Sequence, residues 1–301
     1  MIDRTGIDRT DAGGRALLLV GHGTRDAEGV RDFHRFVDLV ADRADVPVAG
    51  GFIELSRPPL REAVASLVAA GHTRLGVVPL VLVAAGHAKG DIPAALHREI
   101  ARHPGLRHAY GRPLGPHPAL LGLLDERIDA VVGPSERADT TVVLVGRGST
   151  DPDANAEHVK VARLLWEGRG LAAVEPAFIS LASPGVPAAL ERARLLGARR
   201  VVVLPYFLFN GLLPARTAEQ ARAWAAGHPE VDVRCAGVIG PAPELAGLAL
   251  ERYREALRGD IRMNCDTCVY RVAMPGHEHR VGVAQHPHDH PDDPAHVHAH
   301  A

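Results

Sequence analysis

Leu18-Leu19-Val20-Gly21-His22-Gly23-Thr24 and Val143-Leu144-Val145-Gly146-Arg147-Gly148-Ser149 are two versions of one segment, and the pair decides the fold. Each is a short, continuously apolar run that stops at glycine, the pattern of a strand buried on both faces. Further along, Gly51-Phe52-Ile53-Glu54-Leu55 is matched by Ala177-Phe178-Ile179-Ser180-Leu181, and a proline follows each (Pro58, Pro184). Ala70 to Pro79 aligns with Leu196 to Pro205, and Gly115-Pro116-His117-Pro118-Ala119-Leu120 with Gly240-Pro241-Ala242-Pro243-Glu244-Leu245. Matches that keep their order and a near-constant spacing make the chain an internal duplication.

Each copy reads as strand and helix in alternation, four times over. In the first copy, strands are expected at Ala16–Val20, Val48–Leu55, Leu75–Val83 and His108–Leu114. Helices are expected at Val30–Ala44, Leu60–Ala70, Ile92–Ala101 and Leu120–Val132, the last closing the unit; Gly71 can terminate the second. Such alternation implies parallel strands joined by right-handed crossovers. The expected organisation is a disordered N-terminus over 1–15, α/β domains over 16–133 and 138–258, and a tail over 259–301. Gly133 to Thr140 forms the joint.

The 301 residues suffice for two cores. A formal net charge of -2 argues against a nucleic-acid partner. Three cysteines are too few for a disulfide framework and point to a reducing compartment. Met1 to Arg15 is polar, without the apolar core of a signal peptide. The longest apolar run, Leu75 to Ala85, is too short to cross a bilayer. A cytoplasmic protein without a membrane partner is expected.

In open parallel sheets, ligands bind beyond the carboxyl ends of the strands. There the first copy offers His22, Glu54 and His87, two imidazoles and a carboxylate from three separate loops. Such a set suits a transient site for a borderline divalent metal. Singly, each has a plainer reading, since Gly-His-Gly after a strand also serves as a tight turn. The second copy carries Arg147, Ser180 and Leu213 at the equivalent positions, so it keeps the scaffold and lacks the ligands.

Gly21-His22-Gly23-Thr24, Phe52-Ile53-Glu54-Leu55 and the long string Val78-Pro79-Leu80-Val81-Leu82-Val83-Ala84-Ala85-Gly86-His87-Ala88-Lys89-Gly90-Asp91-Ile92-Pro93 resemble the sirohydrochlorin cobalto/ferrochelatases. The resemblance spans residues 16–258 as two tandem units. It implies an α/β fold of two chelatase-like domains, each a four-stranded parallel sheet flanked by helices, facing across a cleft. It also implies insertion of Co²⁺ or Fe²⁺ into sirohydrochlorin with loss of two pyrrole protons, in cobalamin or siroheme biosynthesis. By the same resemblance, His22 and His87 are metal-binding and catalytic, with Glu54 as acidic partner. The carboxylates of such a substrate call for cations, and Arg25, Arg57, Lys89, Arg147 and Arg216 follow strands in one copy or the other.

Met263-Asn264-Cys265-Asp266-Thr267-Cys268 gives M-x-C-x-x-C, and eight of the eighteen histidines lie beyond position 276. A C-x-x-C is redox-active, binds zinc or supplies half an iron–sulfur cluster. Resemblance to long-form chelatases implies a 4Fe-4S cluster at Cys265 and Cys268, which would need Cys235, another ligand or a second subunit. A monomer or a homodimer is compatible with the sequence. The histidine tail reads as a metal store. The rival reading is a non-enzymatic metal-delivery protein that works through the Cys/His-rich tail.

Overall fold

The structure is a computed structural model that describes residues 14–260 and 278–283. The first repeat runs β1 (Arg15–Gly21), α1 (Ala27–Ala41), β2 (Val48–Phe52), α2 (Leu60–Ala69), β3 (Arg74–Pro79), α3 (Ile92–Arg102), β4 (Arg107–Tyr110) and α4 (Pro118–Asp129). The second runs β5 (Thr140–Gly146), α5 (Pro152–Trp166), β6 (Ala173–Phe178), α6 (Val186–Leu195), β7 (Arg200–Pro205), α7 (Leu212–Ala226), β8 (Asp232–Cys235) and α8 (Pro243–Arg258). Two all-parallel sheets result, with strand orders β2-β1-β3-β4 and β6-β5-β7-β8.

Strand alternation divides the core. Ala16, Leu18 and Val20 of β1 face outward and pack under Val64 and Leu67 of α2 and Ile92 and Leu96 of α3. Leu17 and Leu19 face inward, into one apolar body shared by both repeats with Phe36, Leu124, Leu144, Leu165 and Leu245. The second sheet repeats the scheme: Val143 and Val145 point outward to Val186 and Leu190 of α6. The layers are therefore helix, sheet, a shared helical layer, sheet, helix.

Three expected strands are shorter than the apolar runs that suggested them: β2 stops at Phe52, β3 at Pro79 and β4 at Tyr110. The residues beyond are buried or half-buried in loops, which hydrophobicity alone does not distinguish from a strand. The N-terminal boundary also moves, since β1 begins at Arg15.

The closing helices exist but are exchanged. α4 lies against α5 and β7, whereas α8 lies on β3 and α1. The Tyr253 ring of α8 sits over Gly76 so closely that a Cβ there would be 2.3 Å from ring carbons. Arg252, fully buried, donates from Nε to the Pro113 carbonyl at 3.1 Å and from Nη2 to that of Leu114 at 3.3 Å. Its counterpart in the duplication, Arg127 of α4, donates to the carbonyls of Val238 at 3.0 Å and Ile239 at 2.8 Å. The expectation that Leu120–Val132 closes its own unit is therefore corrected. Each sheet has an inner face covered by its own first helix and its neighbour's last.

Candidate metal and tetrapyrrole site

Between β1 and β3 the strand order reverses, with β2 on one side of β1 and β3 on the other. Connections leaving the carboxyl ends at such a point diverge to opposite faces and open a crevice. His22 follows β1, and His87 lies on the connection that leaves β3. Their rings meet edge to face, centroids 4.2 Å apart and planes at 82°.

Backbone geometry carries Glu54 to the same point. The β1–β2 ladder continues past the strand ends, with Ile53 N donating to Gly21 O at 3.0 Å and Glu54 N to His22 O at 3.1 Å. Gly23, at φ +107°, lets the chains cross here; a Cβ on it would fall 1.8 Å from the Glu54 carbonyl oxygen. Ser56 fastens the two loops, accepting from Thr24 N at 2.9 Å and donating to Thr24 O at 2.6 Å. The result places Glu54 Oε1 3.0 Å from His22 Nε2.

The His87 loop is a single π-helical turn, His87–Asp91, leading into α3. π-Turns within helices are frequent at functional sites. This turn brings Asp91 Oδ2 to 2.6 Å from His87 Nδ1, in a region where Asp91 is buried. The Tyr110 hydroxyl donates to Ala88 O at 2.9 Å and pins the same turn. A carboxylate on Nδ1 fixes the tautomer and ring orientation, leaving Nε2 as the nitrogen that serves the site. Asp91 is absent from the set expected from sequence. Its four-residue spacing from His87 at a helix entrance is the signal that would have found it.

The three expected ligands thus meet, as a chain Glu54–His22–His87–Asp91 rather than a cage. Among the described residues no group of three or more His, Cys, Asp or Glu side chains is arranged to hold a metal ion. His22 is lowered to a pKa of about 3, chiefly by burial, then by His87, with Arg147 adding to the effect and Glu54 opposing it. Its imidazole is neutral at working pH, so its lone pair is available to a metal.

The cations are placed unequally. Arg147, at the position of His22 in the second repeat, is exposed and acts electrostatically on both His22 and Glu54. Ser180 N donates to Arg147 O at 3.0 Å, as Glu54 N does to His22 O. Leu213 starts α7. Arg25 and Arg216 are exposed; Arg57 is exposed and lies 3.2 Å from Glu62. Lys89 is buried, with Nζ 2.6 Å from Asp151 and 3.1 Å from Asp153. Burial pulls its pKa down, but those two carboxylates outweigh it and hold it above the ordinary lysine value. Cys265, Cys268 and the histidines of the tail other than His279 lie outside the described residues, while Cys235 ends β8, half-buried. Among the described residues, no helix is long and apolar enough to cross a membrane.

These features define a class: a tandem α/β protein with a two-imidazole site, flanked by carboxylates, at the switch point of one sheet. Residues 16–131 and 141–256 each match the CbiX family, so the match falls on both repeats. The chain belongs to that family. Over 268 residues it is 38% identical to the sirohydrochlorin cobaltochelatase of Priestia megaterium, covering 87% of each chain. It is 31% identical over 242 residues to the sirohydrochlorin ferrochelatase of Bacillus subtilis, covering 80% of this chain and 91% of that one. Among solved structures it resembles the sirohydrochlorin chelatase SirB from Bacillus subtilis subspecies spizizenii in complex with cobalt. There the TM-score is 0.70 at 28% identity, over 82% of this chain and 96% of that one.

Proposed function

We propose that this chain inserts a divalent metal, Co²⁺ or Fe²⁺, into sirohydrochlorin in the cytoplasm, serving cobalamin or siroheme synthesis. The observation that carries the proposal is the meeting of His22 and His87 at the switch point, each backed by its own carboxylate. Metalation removes two N–H protons from the macrocycle as the dication enters, so the site must hold a metal loosely and accept protons. Two neutral imidazoles bind a borderline cation without closing its coordination sphere. His22 gives up its contact with Glu54 to ligate the metal through Nε2. Glu54, released, then takes a pyrrole proton. His87, oriented by Asp91, takes the second or holds the ion's other side. Water carries the protons away.

Arg25, Arg57, Arg147 and Arg216 are assigned to the substrate's carboxylates, a role that suits guanidinium forks. Lys89, given the same role from sequence, has its ammonium on Asp151 and Asp153. Cys265 and Cys268 are assigned to an auxiliary iron–sulfur cluster, testable by iron and sulfide content of anaerobically purified C265S/C268S. Neither cysteine enters a step above.

The test is anaerobic incubation of the full chain with sirohydrochlorin and Co²⁺ or Fe²⁺, following the absorption change on metalation. Turnover is expected, with loss of at least ~100-fold in His22→Ala and His87→Ala. Tight metal binding without metalation would overturn the proposal in favour of a delivery protein.

A further inference from the structure

Lys89 stands midway along the π-turn, two residues from His87 and two from Asp91. Its ammonium reaches across to the second repeat. The side chain is only 8% exposed, and its ammonium lies against Asp151 and Asp153, whose side chains are 6% and 1% exposed, at the entrance of α5. Asp151 is already the N-cap of that helix, its side chain accepting from Asp153 N at 3.1 Å. The anchor is therefore built into a helix end and cannot follow a drifting lysine. An equivalent tie runs in the opposite direction. Asn210, on the connection after β7, donates to Asp32 of α1 from Nδ2 at 2.8 Å and from its backbone N at 3.2 Å. Each β3-type connection is thus fastened to the first helix of the other repeat, and the tie through Lys89 starts two residues from a candidate catalytic imidazole.

We infer that Lys89, with Asp151 and Asp153, is a positioning residue that lets the ligand-free second repeat hold the His87 loop in register with His22. A buried ammonium between two carboxylates is directional and costly to break, because separation strands charges away from water. The tie leaves the π-turn little freedom to rotate His87 away from its partner ring. This role rests on the metal-insertion reading above and deepens it. It also displaces the alternative that Lys89 binds a carboxylate of the tetrapyrrole, since the two roles predict opposite kinetics.

The experiment compares full-length Lys89→Met, Lys89→Arg, Asp151→Asn/Asp153→Asn and the triple variant, with Co²⁺ and sirohydrochlorin as substrates. Thermal unfolding identifies variants that are merely destabilised. The triple variant leaves no unpaired charge in the tie, so it is the one to read if Lys89→Met folds poorly. Expected are a kcat at least 10-fold lower in Lys89→Met, KM for sirohydrochlorin within twofold, and partial recovery in Lys89→Arg. The asparagine pair should match that loss, and the triple variant should be no worse than either parent. The Co²⁺ absorption bands of the protein without tetrapyrrole should shift in Lys89→Met, reporting a displaced imidazole. A raised KM at unchanged kcat would overturn the inference, as would asparagine variants with normal kcat or a triple variant that is normal. Failure of the metal-insertion reading would look different: the unaltered protein would not metalate sirohydrochlorin at all.

Discussion

His22 and His87 approach to a ring separation of 4.2 Å, and each has its own carboxylate, Glu54 from the loop after β2 for His22 and Asp91 from the same turn for His87. The edge-to-face arrangement turns the ring planes across one another at 82°.

Asp91 should control His87 without touching substrate. Asp91→Asn keeps the shape but replaces a carboxylate on Nδ1 with an amide. Loss of such an outer partner typically costs 10–100-fold in metal affinity or activity. The expected result is a ~10-fold fall in the metalation rate with unchanged thermal stability. A normal rate with normal Co²⁺ affinity would show that the Nδ1 contact has no part in the reaction.

Gly23 and Gly71 separate crossing geometry from conformational preference. Both have positive φ, +107° and +88°, but a Cβ on Gly23 would strike the Glu54 carbonyl at 1.8 Å while one on Gly71 would meet open space. Gly71→Ala should cost roughly 1–2 kcal/mol, the left-handed penalty alone, and retain full activity. Gly23→Ala should push the Glu54 loop off His22 and abolish metalation. Denaturant titration and the rate assay on the two variants check this directly.

His158 makes stability depend on pH. It is the second-repeat counterpart of Phe33, and each packs beneath the glycine that ends its strand, Gly146 or Gly21. Burial lowers its pKa to about 4, against opposing backbone hydrogen bonds, and Nδ1 lacks a partner. The unfolded chain binds a proton near pH 6.5 that the fold refuses until about pH 4. The contribution is therefore complete above pH 6.5 and lost as pH falls through that window, on the order of 3 kcal/mol. His158→Phe should flatten the stability profile between pH 6.5 and 4. An unchanged slope would place the titration elsewhere.

Tyr253 belongs to the second repeat by sequence and to the first by packing. Tyr253→Ala should cost about 3–5 kcal/mol, as truncation of a large buried aromatic does. Its effect should appear first as faster hydrogen exchange in β3, beneath the vacated ring, with the second sheet still protected. Equal loss of protection in both sheets would mean that the halves melt as one unit.

The alternation of buried runs with helical spacing showed the eight strands and eight helices, because a parallel strand covered on both faces has little choice of composition. Strand ends were misplaced where loops are as apolar as the strands they leave, as at Leu80 to Val83. The juxtaposition of His22, Glu54 and His87 was legible because each stands at a carboxyl edge in one repeat and is replaced in the other. Lys89 shows the limit. It sits in the quoted string, but its partners Asp151 and Asp153 belong to the opposite repeat, which leaves no period in the sequence. Exchange of α4 and α8 was invisible for a related reason, since an amphipathic helix records that a face is covered and not by which half.

That exchange bears on the ancestry of the molecule. A lone unit of this design would leave its inner face short of a helix and would need a second copy to supply one. Joining two genes end to end turns that pair into a single polypeptide whose halves are free to diverge. One half could then surrender its imidazoles and remain indispensable as the other's scaffold.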